Sequence, residues 1–173
     1  MQEVIEKARK IKLMVFDVDG VLTNGQLFFT EDGTELKAFN SLDGHGIKML
    51  HQAGIDTAII TGRTSNIVIK RAKDLGITHL YQGREDKLQA LKELLAESSL
   101  SLEEVGYVGD DLPDLSAIRA VGLGIAVANA HSFVRKHADW QTTLAGGSGA
   151  ARELCDLILD AQGKLSPLLE KYL

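Results

Sequence analysis

Five short apolar runs, "KLMVFD", "DTAIIT", "THLYQ", "EVGYVGD" and "GLGIAVA", are separated by the helix-periodic stretches "GIKMLHQAG", "SNIVIKRAKDLG", "EDKLQALKELLAES" and "DLPDLSAIRAVG". Few folds accept that alternation. Strands that take turns with helices of this length predict an α/β chain whose parallel sheet is covered on both faces. The unbroken apolar character of "LMVF" and "TAII" suits strands buried on both sides. Gly54, Gly76 and Gly122 are expected to end helices in left-handed caps, and Pro113 stands at an early helical position where its missing N–H costs little.

One stretch breaks the rhythm. "GQLFFTEDGTELKAF" reads as two strands around a turn at Glu31-Asp32-Gly33-Thr34, a hairpin over about 25–39 inserted after the first strand. Phe28, Phe29 and Leu36 would leave apolar surface on that excursion, which points to a second subunit. The alternative is a hairpin folded back on its own sheet. From about 145 to 173 the chain reads as a glycine-rich loop, an amphipathic helix and a tail.

The 173 residues suit one domain, and a net charge of −5 argues against a protein that coats nucleic acid. No window approaches the roughly 20 apolar residues of a membrane span, and the charged amphipathic start is no signal peptide, so a cytoplasmic protein is expected. The single cysteine, Cys155, excludes an internal disulfide or a Cys-based zinc cluster and is expected to pack as a small hydrophobe.

In open parallel sheets, sites form beyond the carboxyl ends of the strands. The polar residues gather there. The first strand ends in Asp17-Val18-Asp19-Gly20, the second in Thr61-Gly62-Arg63, and the fourth in Gly109-Asp110-Asp111, with Asp114 a turn later; Lys87 opens the helix after the third. Asp17 and Asp19 fall on one side of an extended strand, where like charges repel unless a cation intervenes. Each element alone has an ordinary reading: a turn, a helix start capped by Thr61, solvated acids at a helix N-terminus, a surface lysine. Their succession, each directly after its strand, points instead to one site. Asp17, Asp19 and Asp110 offer hard oxygen donors suited to Mg²⁺, and Thr61 and Lys87 suit phosphoryl oxygens. That is equipment for phosphoryl transfer, with a carboxylate able to act as the nucleophile.

"DVDGVLTNG", "ITGR", Lys87 and "GDDLPD" together resemble the four signature motifs of haloacid-dehalogenase (HAD) superfamily phosphatases. The resemblance implies a Rossmann-like HAD fold. It makes Asp17 the nucleophile and Asp19 the general acid and then base, with Asp19 also lending its backbone carbonyl to Mg²⁺. Asp110 supplies a metal carboxylate, Asp111 and Asp114 support the metal shell, and Thr61 and Lys87 hold the phosphoryl group. Dehalogenases of the superfamily lack the second aspartate, so Asp19 favours a phosphatase. Only the hairpin and one helix fit between Asp17 and Thr61, so no separate cap domain is expected.

"LKAFNSLDGHGIKML", "GITHLYQGREDKL" and "GGSGAARELCDLIL" narrow the resemblance to the 3-deoxy-D-manno-octulosonate 8-phosphate phosphatase family, over nearly the whole chain. This implies a phosphoric monoester hydrolase acting on a small sugar-acid phosphate, in lipopolysaccharide precursor synthesis. It also implies a homotetramer joined through the hairpins, in which a neighbour helps to cover each site. The family's substrate segment falls on Asn40, Ser41, Leu42, Asp43 and Gly44, with Lys48, Arg63, Arg71, Asp19 and Lys87 as further contacts. Leu42 stands where many members carry arginine. Two other readings are a phosphatase of another sugar acid, such as a nonulosonate 9-phosphate, and a non-catalytic scaffold on the same fold. His45 reads as peripheral, because Asp19 already supplies the acid and base.

Overall fold

The computed structural model describes residues 1–173. Its sheet is built from β1 (Leu13–Phe16), β4 (Asp56–Ile60), β5 (His79–Tyr81), β6 (Val105–Gly109), β7 (Leu123–Ala126) and β8 (Trp140–Gln141), in the order β5-β4-β1-β6-β7-β8. Every neighbouring pair is parallel. Every residue of β1 is buried, as the run "LMVF" requires, because helices cover both faces of this central strand. Strand β8 is two residues long and edges the sheet; its short, polar-flanked "WQ" carries no strand signal that sequence reading would detect.

The remaining elements are α1 (Gln2–Ala8), the hairpin strands β2 (Phe28–Phe29) and β3 (Glu35–Leu36), α2 (Ser41–Gln52), α3 (Asn66–Leu75), α4 (Lys87–Ala96), α5 (Leu115–Ala120), α6 (Ser132–Arg135), α7 (Ala150–Ala161) and α8 (Leu165–Leu169). Helix α2 begins five residues before the periodic stretch "GIKMLHQAG", because the Asn40 side chain accepts the amide of Leu42 and caps it. Cys155 on α7 is fully buried, and burial pushes its thiol well up, so it packs as an inert hydrophobe.

Gly54 and Gly76 take positive φ after α2 and α3, as expected. Gly122 does not. Its backbone instead runs so close to Glu103 that a Cβ would lie 2.1 Å from the Glu103 carbonyl oxygen, so close approach rather than a left-handed cap requires glycine there.

The hairpin forms as expected, with Phe28 opposite Leu36 and Phe29 opposite Glu35. Leu27, Phe28, Phe29 and Leu36 are each roughly half exposed, at 46, 46, 57 and 55%. Between Asp17 and Thr61 the chain holds only this hairpin, α2 and β4.

Candidate active site

The loops after β1, β4 and β6 and the start of α4 meet over the carboxyl edge of the sheet. They enclose an open cleft of about 290 Å³ lined by Asp17, Asp19, Thr61, Gly62, Arg63, Lys87, Asp110, Asp111, Pro113 and Asp114. A larger hollow of about 780 Å³ lies at the opposite edge, among Lys10, Lys12, Gly54 and Glu103, and brings no group of carboxylates together.

The β1 loop turns back on itself through Val18, whose carbonyl accepts the amides of Val21, Leu22 and Thr23. Gly20 has φ of +92°, and a side chain there would strike the Asp110 carboxylate, so only glycine lets the two loops meet. The glycine-rich loop before α7 backs this turn. A Cβ on Gly146 would stand 1.7 Å from the Gly20 carbonyl oxygen, and the Gly147 amide donates to Val21 at 2.8 Å. These glycines therefore serve close packing behind the chain's own Asp17–Gly20 turn.

Asp17 is 5% exposed, and Lys87 Nζ stands 3.0 Å from its Oδ1. The same ammonium donates to Asp114 Oδ1 at 2.6 Å. Asp114 is saturated with donors. Tyr107 donates to its Oδ1 at 3.0 Å, and the amides of Asp110 and Asp111 donate to its Oδ2 at 3.1 and 3.2 Å. It thus ties the β6 loop to Lys87. Gly109 gives it room, since a Cβ there would lie 2.3 Å from Asp114 atoms. Tyr107 is a site residue that sequence reading missed, because a tyrosine inside an apolar strand signals core.

Oxygens of Asp17, Asp110 and Asp114 lie within 4.8 Å of one another. Lys87 neutralises Asp17 and Asp114 and forms no ion pair with Asp110. Burial, with the Asp114 carboxylate adding to it and Lys87 opposing, pushes Asp17 up to about 7. Burial and the Asp114 carboxylate likewise push Asp110 to about 7. Burial pulls Lys87 down, but Asp17 and then Asp114 outweigh it and hold its ammonium above the usual range. The cluster is therefore short of positive charge. A hard divalent cation between Asp17 and Asp110, with the Asp19 carbonyl nearby in the chain, meets that need; Asp114 is already engaged by four donors and is better placed to orient the loop than to bind metal.

The Asp19 carboxylate is bound by Lys37, from just past β3, and Arg63 Nε stands 3.7 Å from its Oδ2. Lys37 and Glu35 were not among the residues expected at the site. The signal was present: positions two apart on a strand share a side, and Glu35 and Lys37 both turn toward the cleft edge while Leu36 faces solvent. Thr61 is buried at the end of β4, and the N-cap of α3 is Ser65, not Thr61.

The segment Asn40–Gly44 does not border this cleft within one chain. Asn40 caps α2 and its carbonyl accepts Arg71 Nη2 at 3.1 Å. Asp43 is buried against the start of α7, accepting the Arg152 amide at 2.9 Å. Burial raises its carboxyl, with the Arg152 and Gly149 amides opposing. Leu42 is exposed. Ser41, Gly44, His45, Lys48, Arg71 and Leu75 line a separate depression of about 210 Å³. The Tyr172 hydroxyl, from the tail, lies 3.2 Å from His45 Nε2, so His45 is peripheral to the acidic cleft. The Arg152 guanidinium is held by Asp156 at 2.8 Å.

Residues 77–154 match the haloacid dehalogenase-like hydrolase family model. The chain is 51% identical over 163 residues to the 3-deoxy-D-manno-octulosonate 8-phosphate phosphatase KdsC of Escherichia coli (strain K12), covering 94% of this chain and 87% of that protein. A crystal structure of a probable yrbi family phosphatase from Pseudomonas syringae superposes with a TM-score of 0.98 at 61% identity, covering 99% of this chain and 98% of that one. A 3-deoxy-D-manno-octulosonate 8-phosphate phosphatase from Moraxella catarrhalis, solved in complex with a magnesium ion, a phosphate ion and a KDO molecule, superposes at 0.98 with 47% identity, covering 100% of this chain and 99% of that one.

Proposed function

The chain belongs to the 3-deoxy-D-manno-octulosonate 8-phosphate phosphatase family of haloacid dehalogenase-like hydrolases, and from that premise we propose that it hydrolyses this ester to the free sugar acid and phosphate. The observation that carries the reading is the convergence of three strand ends and the start of α4 on one cleft, where Asp17 is buried against Lys87 at 3.0 Å and close to Asp110, with Asp19 on the same lining.

Asp17 attacks phosphorus through a carboxylate oxygen, the bond from phosphorus to the ester oxygen breaks, and that oxygen takes the proton carried by Asp19. Asp19, now a carboxylate, accepts a proton from the water that attacks the aspartyl-phosphate, which releases phosphate and restores Asp17. Lys87 and Thr61 bind phosphoryl oxygens and keep the group in line. Asp17, the Asp19 carbonyl and Asp110 would hold Mg²⁺, which when bound would neutralise the phosphoryl charge that otherwise repels the Asp17 carboxylate. Asp111 and Asp114 shape the loop that carries Asp110. Arg63 stands on the cleft rim, where a guanidinium can grip the substrate carboxylate in a two-point contact.

The cleft is open above, and no cap covers it, so residues 1–173 read as one catalytic unit completed by neighbours. The exposed apolar hairpin suits association into a homotetramer. In that assembly Asn40, Ser41, Leu42, Gly44, Lys48 and Arg71 reach a neighbour's substrate rather than their own chain's, while Asp43, buried against the start of α7, holds the segment in place. No helix is long and apolar enough to cross a membrane, which fits a cytoplasmic enzyme in lipopolysaccharide precursor synthesis; the net charge of −5 fits no role on nucleic acid.

The test is phosphate release from a panel of sugar phosphates with Mg²⁺ and then EDTA. Metal-dependent preference for 3-deoxy-D-manno-octulosonate 8-phosphate is expected. Preference for a nonulosonate 9-phosphate would retain the chemistry and replace the substrate, and no release from any ester would sink the phosphatase.

A further inference from the structure

Resting on the phosphatase reading above, we propose that Lys37 is the positioning residue for Asp19, holding its carboxyl at the angle that delivers the proton to the leaving oxygen. Lys37 lies in the hairpin arm, an excursion whose other side chains are largely solvated, yet its own side chain is only 2% exposed. Its ammonium reaches back to the Asp19 Oδ1 and to Glu35 Oε1 at 3.2 Å. Arg63 Nη2 donates to the same Glu35 oxygen at 2.7 Å, and Arg63 Nε stands 3.7 Å from Asp19 Oδ2. Two acids and two bases thus close a ring that joins three loops: the turn after β1, the hairpin and the turn after β4.

The ring treats the two oxygens of Asp19 differently. Oδ1 is bound by Lys37, whereas Oδ2 has Arg63 nearby but beyond hydrogen-bond distance. No other side chain or amide donates to this carboxylate, so without Lys37 its side-chain torsions are set only by weak contacts. Asp19 borders the cleft, and the pinned Oδ1 leaves Oδ2 as the oxygen that carries the proton. When the phosphorus–ester bond breaks, its electron pair goes to the ester oxygen. The Oδ2 proton follows, and the carboxylate so formed already has the Lys37 ammonium in contact. Displacing a catalytic group by about 1 Å can cost about 100-fold in rate, so this contact is a substantial lever.

The prediction separates positioning from mere support of the fold, because it depends on the leaving group. Sugar alkoxides need a proton to depart, whereas p-nitrophenolate does not. With Mg²⁺, Lys37→Met is expected to lower kcat/KM, which ends at aspartyl-phosphate formation and so omits the later water step common to both esters, by about 100-fold on the octulosonate ester and by less than about 5-fold on p-nitrophenyl phosphate, a selectivity set by the usual worth of general-acid catalysis. Lys37→Arg, which restores a cation of similar reach, should recover most of the loss on the sugar ester. Equal losses of kcat/KM on both esters would overturn the proposal. Should Lys37→Met fail to fold, Lys37→Gln decides the matter. It removes the ammonium from Asp19 while keeping a polar side chain and the hairpin backbone bonds, and an unchanged ratio between the esters would count against positioning. A wild-type protein inert on both esters would remove the phosphatase reading and this proposal together.

Discussion

Replacing Asp17 by asparagine should abolish turnover and at the same time make the metal-free protein more stable. Asp17 is 5% exposed, and its carboxyl is raised from the ordinary 3.8 to about 7 by burial and by Asp114. A carboxyl raised in the folded state binds its proton more tightly there than in the unfolded chain. Stability therefore falls as pH climbs from about 4 through 7. Raising this carboxyl from 3.8 to about 7 corresponds to a penalty on the order of 4 kcal/mol at pH 8, where Asp17 is ionised. Asparagine keeps the shape without the charge, and the weaker bond it offers Lys87 reduces the expected gain to about 2–4 kcal/mol. For a chain of this size that is a rise in Tm on the order of 5–10 °C. The assay is thermal unfolding of wild type and Asp17→Asn in EDTA at pH 5 and pH 8, repeated with saturating Mg²⁺. The variant should be the more stable at pH 8, its advantage should shrink to less than half at pH 5, and Mg²⁺ should stabilise wild type more than the variant. A variant no more stable than wild type at pH 8, or a difference independent of pH, would refute the view of this cluster as carboxylates held together against their own repulsion.

Three further outcomes are expected. Lys87→Met leaves Asp17 and Asp114 without their cation in a buried site, which should cost about 3–5 kcal/mol in urea unfolding in EDTA, along with turnover. Gly146→Ala places a methyl against the Gly20 carbonyl and must move the turn that carries Asp19; a loss of about 1–3 kcal/mol and a fall in kcat are expected, and unaltered kinetics would deny that this loop shapes the site. Phe28→Ser with Phe29→Ser removes apolar surface that is 46% and 57% exposed, so light scattering should find a smaller assembly while circular dichroism stays unchanged.

Asp114 illustrates how one spacing can carry two roles. Along the chain the acids of "GDDLPD" read as solvated acids at a helix N-terminus or as part of a metal site; a reciprocal cap is a further use of the same spacing. In the folded chain Asp111 and Asp114 do form that cap, while Asp114 also takes the Lys87 and Tyr107 donors. The cap and the active site are therefore one structure, in which a helix-start motif holds the loop of Asp110 against Asp17.

The order of strands and helices, the inserted hairpin and the row of polar residues at the strand ends could all be read along the chain. Each depends on periodicity or on neighbours a few positions apart. A parallel sheet turns that order into geometry almost unaided, since every strand delivers its last residue to the same edge. This is why Asp17, Asp19, Thr61, Arg63, Lys87 and Asp110 share one cleft. What lay beyond the linear reading are the contacts set by how far loops and helices lean after leaving the sheet. Strand alternation put Glu35 and Lys37 on one side of the hairpin, but nothing local told that this side would fold back onto Asp19, or that Gly122 and Gly146 serve close approach of distant backbones. Nor did it tell that Asp43 would turn from the cleft to the start of α7. Hydrogen bonds and ion pairs act over about 3–4 Å, and only the packed chain decides which residues so far apart in sequence come within that reach.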